Sequence, residues 1–246
     1  MNQVLDPVQA NAAYEIVVEN LRRALLLGRF LPGEKLPPER ELALQLQVSR
    51  TTLREALRVL EGEGLIQSKR GATGGIVVQS PHMSHHEFVE FLSRRMHDLK
   101  QLYEYRSIIE TATARLAATN RSERDLENLS AIVEKMHALV AGETLDDPAL
   151  VVAKFLAADA EFHAAIGTAS GNPHLSQAIE DIRASKFLPI GAVFSKMDPK
   201  ANEGHAELLK AIRDQKPDLA ATIMYNHVNG TLAAIRELVA SGPQKG

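Results

Sequence analysis

Beyond His85 the apolar residues recur only at helical spacing, whereas the stretch before it runs through three helical segments and then two short extended ones. That single change of period excludes a large sheet and predicts a mainly α chain. Helical patterns fall at about 86–99, 101–119, 122–141, 149–169, 172–190, 199–214 and 216–240. The breaks between them carry Asn120, Asp146-Asp147-Pro148, Gly171-Asn172-Pro173, Asp198-Pro199 and Lys216-Pro217, residue types that stop helices. Trp is absent and aromatics are only 4%, so Leu, Ala, Ile and Val must fill the cores, which suits helix packing.

The N-terminal part reads in finer detail. Residues 14–28 place Ile16, Val17, Leu21, Ala24 and Leu25 near one stripe of an amphipathic helix that Gly28 stops. A turn at Phe30-Leu31-Pro32-Gly33 precedes a short helix from Glu39 to Leu46, with Pro37 and Pro38 at its start. Gln47-Val48-Ser49 is the next turn, and Ser49 is a good N-cap for a helix from Arg50 to Gly62 with Leu53, Ala56, Leu57 and Leu60 inward. Leu65–Lys69 and Ile76–Gln79 read as strands around a Gly-rich tip, Arg70–Gly75. The order is helix, helix, helix, strand, wing, strand: a winged helix-turn-helix. The expected division is 8–79 for this unit, 80–85 for a linker containing His82 and His85, and 86–240 for an all-α bundle of about seven helices.

Composition narrows the setting. The 246 residues are ample for two domains, and 24% charged residues argue against disorder. No cysteine is present, which removes disulfides, thiolate zinc sites and thiol nucleophiles. The first residues lack the basic and apolar regions of a signal peptide, and no apolar run reaches the roughly 18 residues of a membrane span. The expectation is a cytoplasmic protein without a membrane partner. Net charge is −3, yet the first 80 residues hold 10 Lys and Arg against 9 Asp and Glu, while the rest hold 18 against 22. Bulk charge therefore does not mark a nucleic-acid binder; placement must.

Placement does. Arg50, Arg54 and Arg58 recur every fourth residue on the outer face of the third helix, able to reach base edges in a major groove. Thr51 and Thr52 sit in its first turn, where hydroxyls and free N–H groups grip phosphate. Arg40 on the preceding helix can approach the same groove, and the slim tip from Arg70 can reach the backbone or a minor groove. Gly28–Pro37, Glu39–Ala43, Val48–Leu57 and Glu63–Ile66 together closely resemble the GntR family of transcription regulators. The resemblance implies a homodimer that binds a palindromic operator on double-stranded DNA. It implies DNA contacts at Arg40, Ser49, Arg50, Thr51, Thr52 and Arg54, with Arg70 and Gly71 in the wing. One departure is Pro38, where the family has a Ser that caps the second helix.

The second unit carries a different chemistry. Asp159 and His163 are four apart, so on a helix they share one face and can ligate one ion. His205 and His227 follow on later helices, and three imidazoles with one carboxylate suit Zn²⁺, Ni²⁺ or Mn²⁺. The pattern Arg106-x3-Glu110, Asp159-x3-His163, Gly171-Asn172-Pro173, His205, His227 resembles the FCD effector domain of the FadR-like GntR subfamily. It implies Asp159, His163, His205 and His227 as ligands of a divalent transition metal, zinc first, that holds the carboxylate of a small organic acid. Arg106 is either a bidentate carboxylate contact or the partner of Glu110 one helical turn on; Asn172 is a second effector candidate or a turn former. Gly204 departs from the acidic residue the family places before this histidine. The expected function is a DNA-binding regulator, a repressor by expectation, with a metal-dependent enzyme acting on organic acids as the alternative.

Overall fold

The computed structural model describes residues 13–69, 71, 74–79, 85–142, 148–185 and 202–242. Its N-terminal elements are α1 (Ala13–Leu26), α2 (Glu39–Gln45), α3 (Arg50–Gly62), β1 (Ile66–Lys69) and β2 (Gly75–Val78). Val17, Leu21 and Leu25 of α1 pack with Leu53, Leu57 and Leu60 of α3 and with Ile66 and Val78 of the hairpin, one core of its own. The strands pair antiparallel with Ile66 opposite Val78, and the chain at 34–36 adds a short third rung through Leu36 N–H to Ile76 O and Val78 N–H to Glu34 O. Of the expected wing tip, Gly71 is described at φ 110°, whereas Arg70 lies outside the described residues, as do 80–84 of the linker.

The turn between α2 and α3 fixes the angle between the two helices. Gln47 N–H bonds Leu44 O and Val48 N–H bonds Ala43 O, a Schellman ending whose αL position is Gln47 at φ 53°. Pro38 supplies no side-chain cap to α2, but its carbonyl accepts from Glu41 and Leu42, so the first turn closes without a serine.

The rest is helical: α4 (His85–Arg94), α5 (Met96–Asn120), α6 (Glu123–Val140), α7 (Pro148–Ala169), α8 (Pro173–Ser185), α9 (Glu203–Arg213) and α10 (Pro217–Ser241). A second core joins them, with Tyr103, Leu129, Met136, Phe162, Ile166, Ile212, Met224 and Val228 at its centre. The first helix boundary is corrected: the break falls at Arg95, whose φ of −103° and ψ of 7° leave the helical region, and Lys100 lies within α5. Neither position has Gly or Pro, so local sequence gave no signal; burial of Phe88 and Leu92 on one side and Leu99 and Tyr103 on the other decides it. Ser122 caps α6 in a reciprocal box with Asp125.

The two cores meet along α1 and α8. Arg23 pairs with Asp181 at 2.7 Å and Glu180 at 3.3 Å. Gly28 ends α1 at φ 68° and lies so close to α7 that a Cβ there would stand 2.5 Å from Ala157 Cβ. Only glycine satisfies both the left-handed backbone and the approach.

Candidate metal centre and nucleic-acid interface

The buried stripe of α5 is unusual for what it contains: Leu99 and Tyr103, then Arg106, Glu110 and Thr113, all facing the bundle. Arg106 Nε donates to Glu110 Oε1 at 2.6 Å, and both side chains are almost wholly buried. Glu110 Oε2 in turn lies 2.5 Å from His163 Nδ1 on α7. The other ring nitrogen, His163 Nε2, faces Asp159 Oδ1, 3.6 Å away. His205 Nε2 of α9 lies 3.1 Å from the same Oδ1, while Arg183 of α8 hydrogen-bonds Oδ2. The His227 ring of α10 is 4.7 Å from His205 and 5.3 Å from His163 between centroids, and Phe162 packs edge-on against His205.

Three helices, α7, α9 and α10, thus bring Asp159, His163, His205 and His227 together, with one ligand atom from each within 4.8 Å of the others. Zn–N bonds of about 2.0–2.1 Å place tetrahedral donors roughly 3.4 Å apart, so closing on an ion needs the widest pair to contract by at most about 1.4 Å. The electrostatics favour it. Burial opposes ionisation of Glu110 and Asp159, yet Arg106 and His163 beside the first, and Arg183 and the histidines beside the second, hold both carboxyls well below the usual range. Burial, then the neighbouring His163 and His205, depress His227 to about 3, so its imidazole stays neutral with a lone pair to give. Glu110 behind His163 and Arg183 behind Asp159 orient the ligands from outside, as the partners of metal-bound groups do. The residues therefore fit a divalent transition metal.

Of the two readings of Arg106, the ion pair is present. Arg106 is the ion-pair partner of Glu110, and its Nη1 is also buried with no hydrogen-bond partner among the described residues. Its guanidinium stacks 4.6 Å from the Tyr103 ring centroid, and the Tyr103 hydroxyl is likewise buried and unpartnered. Burial pushes that hydroxyl above its ordinary pKa against the pull of Arg106 and Arg183, so it remains a proton donor. Asn172 is placed otherwise: its Oδ1 accepts from His174 and Leu175 N–H and caps α8. Gly204 sits in the first turn of α9, where a Cβ would stand 3.4 Å from His227 Nδ1, so its bareness leaves that imidazole room. Arg183 was missed in the sequence. Its signal was position: it follows Ile179 by four on the buried stripe of α8.

On the face expected to meet DNA, Ser49 Oγ accepts from Thr52 N–H at 3.1 Å and pairs with its hydroxyl at 2.9 Å, capping α3. Arg40, Arg50, Thr51, Arg54 and Arg58 are exposed, and Thr52 is half-buried. Glu39, also unforeseen, reaches Arg54 Nε at 2.8 Å and Arg50 Nη2 at 3.7 Å, so both arginines are held on one side of α3.

A capped, arginine-faced helix behind a helix-turn, with a wing, joined to a helical bundle that buries a ligand cluster, is the architecture of a DNA-binding transcription regulator with a sensor domain. Residues 13–78 match the family described as bacterial regulatory proteins, gntR family, and residues 101–230 match the FCD domain. The chain belongs to the GntR family and carries its FCD effector-binding domain. It is 28% identical over 234 residues to the Glc operon transcriptional activator of Escherichia coli K12, covering 93% of this chain and 91% of that one. It is 26% identical over 248 residues to the HTH-type transcriptional repressor NanR of Citrobacter rodentium, covering 97% and 91%. Among solved structures, E. coli McbR/YncC shares the fold at a TM-score of 0.54 and 21% identity, covering 93% of this chain and 99% of that one. The two curated relatives are transcription regulators, and with the family match this makes the chain a regulator rather than the metalloenzyme of the alternative. No helix among the described residues is long and apolar enough to cross a membrane.

Proposed function

We propose that the chain is a homodimeric, metal-loaded repressor whose operator affinity is set by a small organic acid. Residues 8–79 act as the reader, 80–85 as the linker and 86–240 as the sensor, working in the cytoplasm where the chromosome lies. Arg50 and Arg54 read base edges. Arg40, Ser49, Thr51, Thr52, Arg70 and Gly71 grip the phosphate backbone. Asp159, His163, His205 and His227 hold the metal, zinc before nickel or manganese, which when bound supplies a Lewis-acidic position for a carboxylate oxygen. Asn172, whose Oδ1 caps α8, stands with Arg106 as the second effector candidate.

The observation that supports the effector most is the pair of unpartnered buried donors, Tyr103 hydroxyl and Arg106 Nη1, on the helix that positions His163. Leaving such donors unpaired costs roughly 1–3 kcal/mol each, and a carboxylate would satisfy both. The dimer is supported by an exposed face on α5 and α10: Tyr105, Ile108 (70% exposed) and Tyr225. Arg115 pairing with Asp218, and Asn229 Nδ2 donating to Ser107 Oγ at 3.2 Å, make those two helices one surface. A second copy covering it would present two readers to a palindrome.

The test is operator selection from a random duplex pool, then affinity for the selected and scrambled sites at matched salt. The expected preference is about 10³ or more. Chelation of the metal should then change operator affinity several-fold. Equal affinity for both duplexes would overturn the reader, and indifference to chelation would overturn the metal-linked sensor.

A further inference from the structure

A cavity of about 330 Å³ lies where the reader meets the sensor, outside the histidine cluster. Leu27, Gly28 and Arg29, just beyond α1, form one wall; Ala157, Ala160 and Ala164 of α7 form an apolar floor; Lys135, Glu161, Glu180 and Arg183 complete it. The charges do not cancel. Lys135 is bound to Glu161 at 3.1 Å and Glu180 to Arg23 at 3.3 Å, so both acids are already paired. One guanidinium is left without a counter-charge, Arg29, which is exposed and has no ion pair among the described residues; Arg183 is paired with Asp159 through Nη2 and keeps Nη1 buried without an acceptor. Arg183 is 6% exposed, so water does not solvate that donor freely.

We propose that this seam is a second binding site, for a small organic carboxylate of a few carbons, with the head held between Arg29 and Arg183 and the chain on the alanines of α7. The planar fork of arginine matches a carboxylate, and inorganic phosphate shares that chemistry but not the apolar tail. The site is built from both domains, so its ligand binds the docked reader and not an undocked one. Occupancy therefore favours the docked arrangement by that difference in affinity. Arg183 also holds Asp159, so the seam and the histidine cluster share one residue. The idea uses the reader and sensor of the proposed function but does not require a metal.

The test is calorimetric titration of the full-length protein with sodium butyrate and, separately, with inorganic phosphate. It compares wild type, Arg29→Gln, Ala160→Leu and the double variant His205→Ala/His227→Ala. The expected result is one butyrate per chain, binding tighter than phosphate, weakened about ten-fold or more by Arg29→Gln, lost in Ala160→Leu and unchanged in the histidine double variant. Arg29 lies outside the sensor bundle, so its loss reports on the seam without unfolding the cluster. No butyrate binding in wild type would overturn the site. So would binding lost in the histidine variant but kept in Ala160→Leu, which places the ligand on the cluster. Phosphate binding without butyrate would overturn the carboxylate assignment. Operator binding, measured alongside on the same variants, separates failure of the seam from failure of the reader.

Discussion

Replacing Glu110 by Leu removes the carboxylate that stands between Arg106 and His163 and leaves the Arg106 guanidinium buried without a counter-charge. Both groups are shielded from solvent, so the loss is not screened as a surface pair would be. Breaking a buried pair of this kind costs about 3–5 kcal/mol, whereas exchanging both members for apolar groups of similar size is often neutral. The prediction is that Glu110→Leu lowers sensor-domain stability by about 3–5 kcal/mol, and that Glu110→Leu/Arg106→Met loses less than the single variant. Urea unfolding of chelator-treated protein, followed by helix content, measures both, since removing the metal isolates the pair. The pH dependence has a definite sign. The Glu110 carboxyl is held well below its unfolded value, so its stabilisation is complete above that value and disappears as pH falls through the folded one. The acid-induced loss of stability should accordingly be shallower in the double variant. A single-variant loss under about 1 kcal/mol, or strictly additive losses, would refute the buried chain from Arg106 to His163.

Gln47→Gly should stabilise the reader by about 0.5–1 kcal/mol, because Gln47 holds the left-handed position of the helix-turn and glycine adopts it without strain; a drop in reader melting temperature would contradict this. Gly28→Ala should cost about 1–2 kcal/mol for the backbone and also force α1 from Ala157, so small-angle scattering should report separated domains; an unchanged scattering profile would refute the docked contact. Arg50→Ala or Arg54→Ala should each weaken the selected operator by about 1–3 kcal/mol, read by fluorescence anisotropy; unchanged binding would remove α3 as the reading helix. Ile108→Asp should yield monomers in sedimentation if the α5–α10 face joins two copies; an intact dimer would place the interface elsewhere.

The reader was legible because its determinants are local. Ser49 three before Thr52, inward Leu53, Leu57 and Leu60, and the glycine-bounded hairpin are spaced within single elements. The four ligand candidates were legible as residue types, but their meeting is tertiary: Asp159 and His205 touch across 46 residues. What organises them was harder to read. Arg183 joins Asp159 across 24 positions, and a charged residue on an apolar stripe looks like a surface arginine until the helices pack. Arg106 and Glu110 were visible as a pair one turn apart, yet nothing in their spacing tells a buried pair from a solvated one. The break at Arg95 was invisible for the same reason, since core packing rather than a breaker residue sets it. Asn172, suggestive in sequence, caps α8 because it directly precedes Pro173 at the helix start.

The most direct measurement is metal content, by elemental mass spectrometry on untagged protein purified without chelators, beside the His205→Ala/His227→Ala variant. The account predicts about one transition-metal ion per chain in the wild type, zinc foremost, and its loss in the variant. No bound metal after reconstitution with zinc, nickel and manganese would contradict it, and Arg106 with Tyr103 would then have to hold the effector alone.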